Sequence, residues 1–192
     1  MMKESKSFYI NGNSLLGRNK FLFHQGYSFD DRLFFAYILA LFFFPLLPLT
    51  QLITGSIVNA LLIKSAMTIK TKRVYLLTII PSIAAFSAGI LFGNLTHQLV
   101  IMLPFIWLAN FVLMYLIRRV FVSGGNEFFY SNLVAGGAKT LTLFVPAILL
   151  FSFSVVPVVA LTVFGIMQFV TVQLGGVIVI IGDYAKEKLV KA

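Results

Sequence analysis

Residues 99–119 read LVIMLPFIWLANFVLMYLIRR, an apolar run interrupted by Asn110 and closed by Arg118 and Arg119. A helix needs about 20 apolar residues to cross the hydrocarbon core of a bilayer, so this run has spanning length. The connection before it, Asn94–Gln98, carries no Lys or Arg, whereas the residues just after it are both arginines. Cytoplasmic loops carry an excess of Lys and Arg, so the run is expected to enter from outside and leave inside.

The same contrast repeats along the chain. Apolar segments near 33–49, 51–69, 74–93, 99–117, 131–153 and 157–182 are read as spans. Pro45 and Pro48 separate the first two, because proline removes a backbone donor and breaks the helix. Basic residues cluster at Lys3, Lys6, Arg18, Lys20 and Arg32, at Lys70, Lys72 and Arg73, at Arg118 and Arg119, and at Lys186, Lys188 and Lys191. The connections around Thr50, Asn94–Gln98 and Ser154–Val156 have none. An all-α polytopic membrane protein with six transmembrane helices and both termini cytoplasmic accommodates every cluster. The organisation expected is a basic cytoplasmic or interfacial segment over 1–32, a transmembrane domain over 33–182 and a cytoplasmic tail over 183–192. A bacterial or archaeal plasma (inner) membrane fits, and an organellar membrane remains an alternative.

Composition agrees. The chain is 59% hydrophobic and 11% charged, with a mean hydropathy of +0.97; soluble domains carry roughly a quarter of their residues charged. The net charge of +9 lies at the ends of apolar segments, not on one exposed face, so nucleic acid is not an expected partner. No signal peptide is expected, because the polar 1–32 segment contains no short apolar run followed by a cleavage site. With no cysteine, disulfides, thiolate-held zinc, iron–sulfur clusters and cysteine nucleophiles are excluded within this chain.

Polar side chains inside a bilayer are costly and usually face the bundle interior or a cavity. Asn59 lies roughly 12 Å into the second span, with Gly55 one turn above on the same face. Asn110 follows Pro104 and Trp107 in the fourth, and Gln168 in the sixth shares a stripe with Gly165, Thr171 and Gly175. Each amide is a candidate ligand contact or an interhelical hydrogen bond. Lys139 is buried if the fifth span starts near Ser131. If the helix starts later, it snorkels to the inner headgroups, the reading favoured by apolar density that rises only from Leu141. Lys64 is expected to snorkel and to lie off the Asn59 face. The uncharged outer connection places His97 as a further ligand candidate, or leaves it simply solvated. Small residues recur at Ser56 and Ala60 and at Ala85, Gly89 and Gly93, spacing that lets helices approach closely inside the chain or against a partner.

Catalysis is not expected. The two histidines, His24 and His97, fall on opposite sides in this topology, and no span as drawn contains a carboxylate. Independent ion coupling normally needs such an acid, and ATP hydrolysis needs a phosphate-binding glycine loop the chain lacks. No cofactor is expected.

Four stretches carry a resemblance: Ile53–Leu61 (ITGSIVNAL), Pro81–Ala85 (PSIAA), Pro104–Asn110 (PFIWLAN) and Gln168–Gly176 (QFVTVQLGG). Over roughly 50–180 they resemble a group of small six-span membrane proteins sometimes labelled iron hydrogenases. Ser56 stands where that group would have proline. Cysteine-held iron cannot be provided by this chain. More broadly, the basic six-span pattern resembles the substrate-binding (S) component of energy-coupling-factor transporters. That resemblance implies a small-molecule ligand, with Asn59, Asn110, Lys139 and Gln168 as ligand or structural candidates beside His97 of the outer connection. It also implies a transmembrane coupling protein with ATPase subunits, docking on Ser56, Ala60, Ala85, Gly89 and Gly93. The alternative is a non-catalytic anchor or assembly subunit of a larger, possibly redox, membrane complex.

Overall fold

The computed structural model describes residues 31–88 and 98–191, and in them every regular element is helical. Helices α1 (Asp31–Phe43), α2 (Gln51–Thr68), α3 (Ile80–Ala88), α4 (Leu103–Leu116), α5 (Phe128–Ser152), α6 (Val159–Phe164) and α7 (Ile166–Lys191) follow one another. Three helical stretches, Val100–Val122, Phe128–Ser152 and Val159–Leu189, are long and apolar enough to cross a membrane. Their outward faces suit lipid: Leu141, Val145 and Leu149 recur every fourth residue on α5 and are more than half exposed.

Local chemistry sets the boundaries. Pro45 ends α1 in a short 3-10 turn, Phe44–Leu46, after which Leu47 is extended. The Thr50 hydroxyl then accepts from the Ile53 N–H and caps α2. The break expected between the first two apolar segments is therefore real. The fifth helix begins at Phe128, three residues before the expected start, because the chain is already extended at Glu127. At Gly165 the sixth segment breaks into α6 and α7. A Cβ there would lie 2.5 Å from the Leu161 carbonyl and 3.0 Å from the Phe144 ring, so only glycine permits the break. α7 then runs unbroken past residue 182, where the span was expected to end.

That extension brings Asp183 into play. Its carboxylate forms an ion pair with Lys64 of α2, and both side chains are only partly exposed. Lys64, expected to snorkel, keeps some solvent contact and reaches an acid on the neighbouring helix, a partner not expected from the sequence. The Tyr37 and Thr68 hydroxyls meet at 3.3 Å, tying α1 to the same end of α2. There too, Arg118 donates to the carbonyls of Lys70 at 2.5 Å and Thr71 at 3.4 Å and lies over the Tyr75 ring. The basic residues after the second and fourth segments therefore share one end of the bundle.

α2 packs along α7, while α5 packs against both α4 and α7 and α2 also meets α4. α1 and α3 lie together against this group. The interior has two apolar clusters. One, towards the basic end, includes Leu62, Ile63, Val74, Leu113, Phe121 and Ala135. The other includes Met102, Leu143, Ala147, Val163 and Phe164.

Candidate functional site

Between the two clusters lies a layer of buried polar side chains. Along α5, Ala135 belongs to the first cluster and Leu143 to the second, and Lys139 stands between them at four-residue steps. Residues four apart share a helix face, so Lys139 is directed into the seam both clusters enclose. It lies close to the middle of the 25-residue helix, roughly 17 Å from its start at 1.5 Å per residue. A hydrocarbon core is about 30 Å thick, so this position is near mid-depth for a spanning helix.

Lys139 is 3% exposed. Its Nζ donates to Asn59 Oδ1 of α2 at 2.6 Å and to Asn110 Oδ1 of α4 at 2.7 Å. The snorkelling expected from the sequence does not occur. The helix starts early enough to bury the residue, and two amide oxygens on other helices accept its hydrogens.

The orientation of both amides follows from their other partners. Asn110 Nδ2 donates to the Thr78 carbonyl at 3.0 Å, and a carbonyl can only accept. Asn59 Nδ2 donates to Thr171 Oγ1 at 3.0 Å, while the Thr171 hydroxyl spends its proton on the Gln168 carbonyl. Thr171 can therefore only accept from Asn59. Each amide must therefore present its oxygen to the lysine.

Glycines bring the helices close enough for these contacts. A Cβ at Gly175 of α7 would lie 2.9 Å from the Ala60 nitrogen and 3.0 Å from the Ser56 carbonyl oxygen, so α7 rests on the α2 backbone. One turn earlier, Thr171 faces Gly55, where a Cβ would lie 3.0 Å from its Cγ2. On α5, Gly136 sits against Val172 of α7, one turn from Lys139. Ser56 and Ala60, expected as candidates for a partner surface, are buried in this α2–α7 contact. Their small size is used within the chain, and they offer no surface to another subunit.

The other expected residues are dispersed. Gln168 is half-buried, and its described contribution to the network is the main-chain carbonyl that takes the Thr171 proton. Ala85 is half-buried on α3, which lies chiefly against α1. Gly89, Gly93 and His97 lie outside the described residues. Trp107 donates to Ser82 Oγ at 2.6 Å, joining α4 to α3 and not to Lys139.

The sequence reading does not single out Thr171 and Thr78 of this network, nor a separate buried contact made by Asn132. Thr171 was noticed only as part of a stripe, and Thr78 acts through its carbonyl, which leaves no side-chain signal. Asn132, 3% exposed on α5, donates to the Val172 carbonyl at 3.3 Å and to Gln173 Oε1 at 3.1 Å of α7. It lies over Gly176, where a Cβ would be 2.4 Å from its Nδ2.

Chemically, the layer presents a lysine nitrogen framed by two neutral, fixed carbonyl dipoles. Among the described residues no carboxylate pairs with it, and no three His, Cys, Asp or Glu side chains group as metal ligands would. Both described contacts of the lysine nitrogen go to amide oxygens of other helices. Comparisons of the chain with models of known protein families, with curated proteins and with solved structures find no match.

Proposed function

We propose that this chain is the membrane-embedded, substrate-binding subunit of a small-solute importer of the energy-coupling-factor type, with ATP hydrolysis on separate partner subunits. The observation that carries this reading is Lys139. An ionisable side chain held near the middle of a spanning helix, with no carboxylate beside it among the described residues, is by default a functional-site candidate. Helices α2, α4, α5 and α7 each contribute to the layer around it. A site assembled from several helices of a bundle is a common way of enclosing a small molecule.

In this reading the chain crosses a plasma (inner) membrane six times, α1, α2 and α3 supplying the shorter first three spans. Both termini are cytoplasmic. Arg118 resting on the carbonyls of Lys70 and Thr71 supports a common side for those basic loops. The chain is not an enzyme, and it depends on a coupling membrane protein for energy.

One observation favours a second reading, an anchor or assembly subunit without a ligand. The donors of Asn59 and Asn110 are satisfied within the bundle, as hydrogen bonds that merely join helices would be. Purification from native membranes in mild detergent, with mass spectrometry of every co-purifying chain, separates the two. The importer reading expects a coupling membrane protein with ATPases, and solute uptake lost in Asn110→Leu. Redox or other membrane-complex subunits in their place, with uptake intact in that variant, would overturn it.

A further inference from the structure

We infer that the basic end of α4 is a docking surface for an anionic phospholipid. The headgroup phosphate meets Arg118, Arg119 and Lys72, and an acyl chain lies along the aromatic stripe that leads away from them. This needs only a membrane-embedded chain and holds whether or not a solute is carried. Arg118 is the anchor. Its terminal nitrogens donate to the Thr71 and Lys70 carbonyls, and its guanidinium carbon lies 5.6 Å from the centre of the Tyr75 ring. Carbonyls and a ring hold the group without cancelling its charge, so a full cation is fixed at the end of the bundle. It stays partly exposed. Arg119, next in the chain, and Lys72, next after Thr71, are exposed. Both arginines lie in Ile117–Val122, which winds as a π-helix, a rare geometry frequent at functional sites.

Away from the cations the surface turns apolar and aromatic. Tyr75 packs on Phe111 with ring centres 4.8 Å apart, and Phe111 stacks on Tyr115 at 6.0 Å. Phe111 and Tyr115 are exposed, as are Leu76 beside Tyr75 and Leu108 one turn earlier on α4. Tyrosine rings settle where headgroups meet acyl chains, so this stripe puts Arg118 at the depth of the phosphates. Charge complementarity names the occupant. A lipid of net negative charge pairs with a fixed arginine and two exposed cations, whereas a zwitterionic lipid brings a cation of its own to the same place. An acidic protein could engage the cations but not a stripe that runs along a spanning helix.

The single tryptophan reads the test. Trp107 precedes Arg118 on the same helical stretch by roughly 16 Å at 1.5 Å per residue, which is acyl-chain depth. The full chain would be reconstituted in phosphatidylcholine vesicles holding a minor share of phosphatidylglycerol, with mid-chain bromines on one lipid or the other. In wild type, brominated phosphatidylglycerol is expected to quench Trp107 beyond its share of the lipid, and brominated phosphatidylcholine less than its share. Lys72→Gln with Arg119→Gln changes two exposed positions and leaves Arg118 to join its two connections. This pair is expected to lower the preference for phosphatidylglycerol about tenfold. Lys186→Gln with Lys188→Gln removes the same charge from α7 and should leave the preference nearly unchanged. Quenching that follows lipid share in wild type, a preference kept by the first pair, or one lost equally by both pairs would overturn the inference. So would its loss to inorganic phosphate at constant ionic strength, which would assign the cations to a soluble anion.

Discussion

Replacing Asn110 by leucine keeps the side-chain volume close to native but removes an acceptor from Lys139 and a donor from the Thr78 carbonyl. Loss of a hydrogen bond to a charged group costs about 1.5–3 kcal/mol. Loss of a neutral interhelical bond in a bilayer costs about 0.6 kcal/mol. Together these give a destabilisation of about 2–4 kcal/mol for Asn110→Leu. The informative comparison is with Asn110→Leu combined with Lys139→Met. Once methionine replaces the lysine, the leucine no longer faces a cation, so the second substitution costs less than it does alone. A double-mutant cycle should therefore show a coupling of about 1.5–3 kcal/mol between positions 110 and 139. Reversible unfolding in mixed micelles, titrated with a denaturing detergent and followed by Trp107 emission, measures each corner. Additivity within about 0.5 kcal/mol would refute a charge-assisted bond between the two residues. A loss below about 0.5 kcal/mol in Asn110→Leu alone would refute the burial of the network.

Other positions give sharper contrasts of size and charge. Gly175→Ala should lower stability by about 1–3 kcal/mol, because its Cβ would press on the α2 backbone. Gly137→Ala, with nothing within 4 Å of the added carbon, should be neutral or slightly stabilising in the same assay. Lys64→Ala should cost less than about 1 kcal/mol, since both members of its ion pair keep some solvent contact. Asp183→Lys should cost more than Lys64→Ala by setting two cations together, and the exchange Lys64→Asp with Asp183→Lys should recover most of that loss. Ser82→Ala removes the acceptor of the Trp107 indole N–H, so the emission of this single tryptophan should shift to shorter wavelength without loss of fold.

The pattern of apolar runs and basic clusters made an all-helical membrane protein legible, because lipid punishes exposed backbone and misplaced charge at every residue. Asn59, Asn110 and Lys139 were legible one at a time for the same reason. Their meeting was not. Convergence depends on how α2, α4 and α5 are rotated about their axes, and that rotation is set by close contacts such as Gly175 on Ala60 and Gly136 on Val172. The Thr78 carbonyl could not be foreseen, since every residue has one. Lys139 was misjudged because the helix start was read from apolar density, while the turn from Phe128 to Ser131 forms ahead of the dense apolar stretch. The acid that meets Lys64 is not legible, because the apolar run ends at 182, one residue short of Asp183. Ser56 and Ala60 were legible as a contact surface, but small spacing does not say whether the surface across from it belongs to the same chain.

Native mass spectrometry of the protein released from its own membranes, wild type beside Lys139→Met, tests the central claim most directly. The account predicts a small-molecule adduct on the wild type that disappears in the folded variant. An adduct retained by Lys139→Met, or none on a wild type purified with its lipids intact, would contradict it.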